Sequence, residues 1–167
     1  MTIKKYVVII IISATDKISQ YTHFRNNNAF DPVSLPERSY VMGKYIINKT
    51  KTGYTFGLKA ANGEVIATGG EVYSSLDSVK NGIKSVETNA PEAAVEDHTV
   101  EGYQTEKNPK FEIYSDKAGE FRFRLKAKNG QVIAVSEGYT SKANCKNGIE
   151  SVKKNSVNSP VIEPENK

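Results

Sequence analysis

The stretch Leu58-Lys59-Ala60-Ala61-Asn62-Gly63-Glu64-Val65-Ile66-Ala67 returns as Leu125-Lys126-Ala127-Lys128-Asn129-Gly130-Gln131-Val132-Ile133-Ala134. Farther along, Lys80-Asn81-Gly82-Ile83-Lys84-Ser85-Val86 returns as Lys146-Asn147-Gly148-Ile149-Glu150-Ser151-Val152. Two matches in the same order, at nearly the same offset, mark a duplicated structural unit. The duplication speaks to architecture, and no motif in either copy names a reaction.

Read locally, the second copy begins with Phe111 and Ile113 alternating with Glu112 and Tyr114, the period of a strand. Lys117-Ala118-Gly119-Glu120 makes a turn. Phe121 to Ala127 then alternates without a slip, placing Phe121, Phe123 and Leu125 on one face and Arg122, Arg124 and Lys126 on the other. Asn129-Gly130, like Asn62-Gly63, suits a two-residue type I′ hairpin, which needs positive φ at both positions. A third strand follows over Gln131 to Ser136. The period then changes. Thr140 or Ser141 can cap a helix, as can Ser74 or Ser75 in the first copy. Cys145, Ile149 and Val152 share one helical face, as do Leu76, Val79, Ile83 and Val86. Asn89 and Asn155 suit the helix ends. After each helix, Ala94-Val95-Glu96 or Pro160-Val161-Ile162-Glu163 can add a fourth strand, either at home or on the other copy.

The fold class this predicts is α+β. Two tandem β-β-β-α(-β) repeats form one antiparallel sheet backed by two helices, pseudo-two-fold, with terminal strands open to exchange. A unit of about fifty residues buries little apolar surface, so each copy needs its twin. Residues 42–97 form repeat 1, 98–109 a linker, 110–163 repeat 2 and 164–167 a disordered tail, with the stretch Glu92 to Lys107 acidic and weakly apolar. Both repeats belong to one domain.

Residues 1–41 lie outside both repeats and read as a leader. The apolar run Tyr6 to Ile12 is short for a secretory signal and lacks a clean cleavage pattern. Glu37-Arg38-Ser39 can be encoded GAA-AGG-AGT, which contains a bacterial ribosome-binding sequence, and Met42 follows after a short spacer. The expectation is that translation starts at Met42 and that the leader is not natural coding sequence. The net charge is +4. Removing the leader takes five basic and three acidic side chains and leaves +2. The basic character that would suggest a nucleic-acid binder then mostly vanishes. A single Cys excludes an intramolecular disulfide framework and fits a reducing compartment. No apolar run is long enough to cross a bilayer, so no membrane association is expected.

The pattern aromatic-x-Phe-x-Leu-Lys-Ala-x-Asn-Gly-x-Val-Ile, then Tyr-[Ser/Thr]-Ser, then Lys-Asn-Gly-Ile-x-Ser-Val resembles the YegP-like family of small bacterial proteins. Here it spans Tyr54 to Ile66, Tyr73 to Ser75 and Lys80 to Val86, then Phe121 to Ile133, Tyr139 to Ser141 and Lys146 to Val152. The resemblance implies tandem β3-α-β units in one sheet with the last strands exchanged, and a cytoplasmic bacterial protein. It brings no reaction, cofactor or catalytic residue. Two departures are Gly57 where the second copy has Arg124, and an extra glycine at Gly69-Gly70.

Several residues bear on function. Gly82 and Gly148 fall inside helices, where glycine is unfavourable by about 1 kcal/mol relative to alanine. Their repetition predicts a helix pressed so close to the sheet that a Cβ would clash, rather than a ligand on exposed backbone. Together with Asn62, Gly63, Asn129 and Gly130 they are read as structural. Arg122, Arg124 and Lys126 are the candidate contacts for nucleic acid or a protein partner. Single-strand binders need rings and cations on one exposed face, whereas Phe121 and Phe123 face away, so a solvated polar face is expected. Cys145 reads as a buried thiol. His98 and His23 have no neighbours in sequence for a metal site. Glu71 and Glu137, which precede Tyr73 and Tyr139, read as surface acids. No catalytic residue, cofactor site or metal site is expected, and no enzymatic activity. The expected function is that of a small structural or interaction module that binds a protein or small ligand at the open sheet face or an edge. The alternative is weak nucleic-acid association through the basic strand. The oligomeric expectation is a monomer by internal pairing of the repeats, or a homodimer.

Overall fold

A computed structural model describes residues 43–164. The expected leader over 1–41 lies outside the described residues, as does the tail beyond Pro164. In the first copy, β1 (Lys44–Lys49), β2 (Tyr54–Lys59) and β3 (Val65–Gly69) form a meander followed by α1 (Leu76–Asn89). A short strand, β4 (Ala94–Asp97), comes after the helix. The second copy repeats the plan with β5 (Lys110–Ser115), β6 (Phe121–Lys126), β7 (Val132–Val135), α2 (Lys142–Asn155) and β8 (Val161–Ile162).

The eight strands form one sheet in the order β4-β5-β6-β7-β3-β2-β1-β8. The copies meet at its centre, where β3 and β7 pair antiparallel through Thr68 with Val135 and Gly69 with Ala134. Both post-helix strands cross over. β4 leaves the first copy to pair with β5, and β8 leaves the second to pair with β1. These two outer pairs are parallel, while the six inner strands are antiparallel. The parallel pair β4–β5 joins consecutive strands, and a parallel return needs a connection of about a dozen residues. Residues 98–109 supply it.

Local chemistry explains the elements. Ser75 caps α1 in a capping box, its Oγ accepting from the Ser78 N–H while Ser78 Oγ accepts from the Ser75 N–H. Ser141 caps α2 by accepting from the Asn144 N–H. The Asn-Gly hairpins differ from the two-residue type expected. Only the glycines have positive φ, 87° at Gly63 and 84° at Gly130. Each glycine N–H closes a turn on the carbonyl of Ala60 or Ala127, and the strand register slips beside it. This is a three-residue loop ending in a left-handed glycine, which keeps the strand twist without asking asparagine to adopt positive φ. Asn62 and Asn129 instead accept from the N–H groups of Glu64 and Gln131.

The core lies between the sheet and the helices. It holds Tyr45, Ile47, Phe56, Leu58, Val79, Ile83 and Val86 from one copy and Phe111, Ile113, Phe123, Leu125, Cys145, Ile149 and Val152 from the other. The helices do not stay at home. α1 packs on β2 and on β7, and α2 packs on β6, β3 and β2. Their ends are tied across the repeat boundary. Asn155 Oδ1 accepts from the Gly43 N–H at 3.0 Å, and the Tyr45 hydroxyl donates to the Ser156 carbonyl at 3.1 Å. Asn89 Oδ1 accepts from the Lys128 N–H at 3.2 Å. Pro109, at the position matching Gly43, has no N–H to offer.

The mid-helix glycines sit against tyrosines. A Cβ built on Gly82 would overlap the Tyr73 hydroxyl and lie 2.5 Å from its Cζ. One on Gly148 would overlap the Tyr139 hydroxyl and lie 2.7 Å from its Cζ. The tyrosines are held in turn by stacking on Phe56 and Phe123, with ring centroids 6.2 and 6.3 Å apart. Gly82→Ala and Gly148→Ala are therefore each expected to lower stability by about 1–3 kcal/mol despite the better helix former, because overpacking forces the ring to move. Thermal unfolding measures this, and an unchanged or raised midpoint would contradict it. Residues 43–97 expressed alone leave β4 without β5 and β1 without β8. They are expected to associate, and sedimentation equilibrium showing a cooperative folded monomer at high dilution would refute the mutual dependence.

Candidate functional site

The outer face of the sheet, away from the helices, differs between the copies. On repeat 2 it carries a buried ion network. Lys110 Nζ lies 2.9 and 2.8 Å from the two Glu96 carboxylate oxygens and 3.2 Å from Glu112 Oε1. Lys126 Nζ is 2.8 Å from Glu112 Oε1, and Arg124 Nε donates to Glu112 Oε2 at 2.5 Å. The Glu106 N–H and His98 Nε2 approach Glu96 from the linker. His98 also stacks on Tyr103. The linker thus crosses this face as the return from β4 to β5 and shields the network. Glu96 and Glu112 are 3% and 2% exposed.

Burial pushes both carboxyls upward. Hydrogen bonds from Lys110, the Glu106 N–H and His98 to Glu96, and from Lys126, Arg124 and Lys110 to Glu112, overcome it and hold each at about 2. Burial disfavours the Lys110 ammonium, but the two carboxylates prevail and its pKa is raised. The expected solvated polar face is therefore corrected for this half. Strand alternation says which face Glu112 takes, not that the preceding linker, through His98 and Glu106, crosses that face beside it. Arg122 is held by Asp116, Nε to Oδ2 2.6 Å, with Glu120 nearby at 3.5 Å. The structure thus brings Arg122, Arg124 and Lys126 onto one face as expected, each with a carboxylate partner. It also places an aromatic there. Tyr114 lies under Arg124, 5.4 Å from guanidinium carbon to ring centroid. Reading one strand missed this ring, which comes from the neighbouring strand.

Glu96, His98 and Glu112 bring three ligand-type atoms within 4.8 Å of one another. The same carboxylate oxygens already face Lys110, Arg124 and Lys126, so an added cation would meet three positive charges. Cys145 is fully buried and its thiol is pushed up to about 11, chiefly by desolvation. Such a thiol is no nucleophile at neutral pH. Glu71 and Glu137 are exposed.

Repeat 1 offers a different outer face. Strand register puts Ile46 where repeat 2 has Glu112, Ile162 where it has Glu96, and Gly57 where it has Arg124. A shallow groove of ≈ 280 Å³ lies there, lined by Ile46, Asn48, Thr55, Lys59, Val65 and Thr68 among others.

The two ends of the sheet, by contrast, match. At the start of β4 the Ala94 N–H donates to the Pro109 carbonyl, and just past its end the His98 N–H donates to the Ile113 carbonyl. The alternation turns the N–H and C=O of Val95 outward, away from β5. In β8 the Pro160 carbonyl accepts from the Tyr45 N–H, which turns Val161 outward in the same way. Val95 and Val161 are 37% and 39% exposed. Between β4 and α2 runs a groove of ≈ 290 Å³, lined by Val95, Asp97, Lys146, Asn147, Ile149 and Glu150. The edge strands were legible as short apolar segments after each helix. Their pairing beside a helical groove was not, since it depends on the exchange.

Comparison with known proteins agrees with this geometry. The family described as "Domain of unknown function (DUF1508)" matches the chain twice, over residues 50–97 and 116–163. The chain belongs to that family. The UPF0339 protein YegP of Yersinia pestis is 44% identical over 121 residues, covering 72% of this chain and 94% of that protein. A UPF0339 protein of Treponema denticola is 65% identical over 54 residues, which are 93% of its length, so it has room for one copy only. The solution structure of YegP, a protein of unknown function from E. coli, superposes with a TM-score of 0.61 at 31% identity, covering 75% of this chain and 96% of that one. The YegP-like resemblance and the α+β tandem-repeat fold are thereby shown. No helix among the described residues is long and apolar enough to cross a membrane.

The ion network makes stability depend on acid. Glu96 and Glu112 have depressed folded pKa values, so their stabilisation is complete above the ordinary carboxylate range near 4.5 and is lost as pH falls toward about 2. Chemical denaturation at steps between pH 6 and 2 is expected to show that loss. Glu112→Gln removes the anion shared by Lys110, Arg124 and Lys126 and is expected to destabilise by about 2–3 kcal/mol at pH 7, and by much less near pH 2. Equal effects at both pH values would contradict the charge assignment.

Proposed function

We propose that the chain is a protein-interaction module that engages extended segments of partner proteins at the two outer edges of its sheet, binding rather than catalysing, in the cytoplasm. The observation that carries this reading is the paired edge. Both ends of the sheet present a short strand with outward-facing backbone groups beside a helix. An extended segment can add to such an edge by main-chain hydrogen bonds, with alternate side chains entering the groove. Both strands are short, four residues in β4 and two in β8, which limits indiscriminate edge-to-edge association. The single free cysteine, buried at Cys145, supports a reducing compartment.

Nucleic-acid association is the second reading, favoured by one observation, the Tyr114 ring under Arg124. Against it, Arg124 and Lys126 already share Glu112, and Arg122 is held by Asp116. A phosphate would have to displace those carboxylates.

A displayed library of random heptapeptides selected on the full chain tests the first reading. Peptides are expected to be retained by the wild type and lost from the double variant Val95→Pro/Val161→Pro, since proline removes the outward N–H at each edge. Circular dichroism confirms that the variant is folded. Equal retention by both proteins, or none by either, overturns the edge reading. Anisotropy of a labelled oligothymidylate at low salt tests the second, which needs binding that weakens steeply as salt rises.

A further inference from the structure

Most of the repeated Lys-Asn-Gly-Ile-x-Ser-Val motif is explained by packing. Gly82 and Gly148 admit the tyrosines. Ile83, Val86, Ile149 and Val152 are core. Ser85 and Ser151 accept from the Asn89 and Asn155 side chains at the helix ends. The first two positions are left over. Lys80, Asn81, Lys146 and Asn147 are all exposed, and neither asparagine side chain makes a hydrogen bond among the described residues. Two copies that differ at most exposed helical positions agree at these two. Both pairs flank an open edge.

The copies differ in what the lysine holds. In repeat 1, Lys80 Nζ lies 2.7 Å from a carboxylate oxygen of Glu163, just past β8. At the other end of the sheet, beside α2, the matching acid is Asp97, at the end of β4. It is engaged instead by Lys142 at 3.2 Å and by the N–H and hydroxyl of Thr99. Lys142 occupies the position of Leu76, so only repeat 2 has this second cation. Glu150, the other acid of the groove, lies 3.8 Å from Lys153. Lys146 therefore lines the groove with no ion pair among the described residues, at the position where its twin already binds a carboxylate.

We infer that the groove between β4 and α2 takes an extended segment of another protein bearing an acidic side chain, with Lys146 as the group that selects it. The inference rests on the edge reading above and names its ligand class. The bound segment pairs its backbone with Val95. One small apolar side chain rests on Val95, which is exposed beside the helix. The acidic side chain one alternation along meets the Lys146 ammonium, and the Asn147 amide faces the segment's backbone. In repeat 1 the chain's own Glu163 occupies Lys80, so the two ends of the sheet differ in what they accept.

The same heptapeptide library, selected separately on the full-length wild type and on Lys146→Glu, provides the test. Peptides from the wild type are expected to carry Asp or Glu at a fixed spacing from a small apolar residue. Those from Lys146→Glu are expected to exchange it for Lys or Arg. A synthetic wild-type winner should bind Lys146→Glu roughly tenfold more weakly and be unaffected by Lys80→Glu. Peptides that depend on Val95 yet show no charge preference, or none that Lys146→Glu reverses, overturn the inference and leave the edge reading standing. Absence of any Val95-dependent peptide removes both. Concentration-dependent self-association abolished by Val95→Pro would assign the groove to a second copy and overturn the inference as well.

Discussion

The structure depends on the fact that a three-stranded meander with one helix cannot close its own first strand. β1 and β5 each have one side open after the hairpins form, and each is completed by the strand that follows the other copy's helix. The helices follow the same logic, since each rests partly on strands of the other copy. Apolar burial within a unit of about fifty residues is small against the ordering of its chain, which favours completion through the shared sheet. The exchange also fixes details that look unrelated. A parallel return from β4 to β5 requires a long connection, and that connection crosses the outer face. There it supplies His98 and the Glu106 N–H to Glu96. The buried ion network is thus downstream of the topology.

Within each copy a second constraint sets how close helix and sheet come. The tyrosine after the third strand pairs its backbone with the start of the second strand, Tyr73 with Tyr54 and Tyr139 with Phe121. That pairing points the ring under the helix, where only a glycine leaves room for the hydroxyl end. The unfavourable helix propensity of Gly82 and Gly148 is the consequence of seating a large ring between two layers. Alanine would serve the helix and disturb the layer.

Much of this was legible from residues. The repeats, the periods of two and 3.6, the serine caps and the mid-helix glycines each have a local physical signature. The Asn-Gly turns were located correctly, but their conformation was not. Gly63 and Gly130 alone take the left-handed backbone, because a three-residue loop demands one such residue where a two-residue loop demands two. The ion network was not legible. Glu96, His98 and Glu112 belong to three different local patterns, and only the register of β4 on β5 and the path of the linker bring them together. The basic strand was read as an open polar surface because alternation carries no information about the partner strand, where Glu112 and Tyr114 reside.

The divergence of the two outer faces bears on where a property common to both copies can reside. One face buries Glu96 and Glu112 among three cations, a cluster whose desolvation is repaid only while every partner stays in place. The other presents Ile46 and Ile162 around Gly57. Binding chemistry shared by both halves cannot use surfaces so unlike in charge. Among the features the halves share on their exterior are the outward-facing valine of each edge strand and the Lys-Asn pair on the adjacent helix.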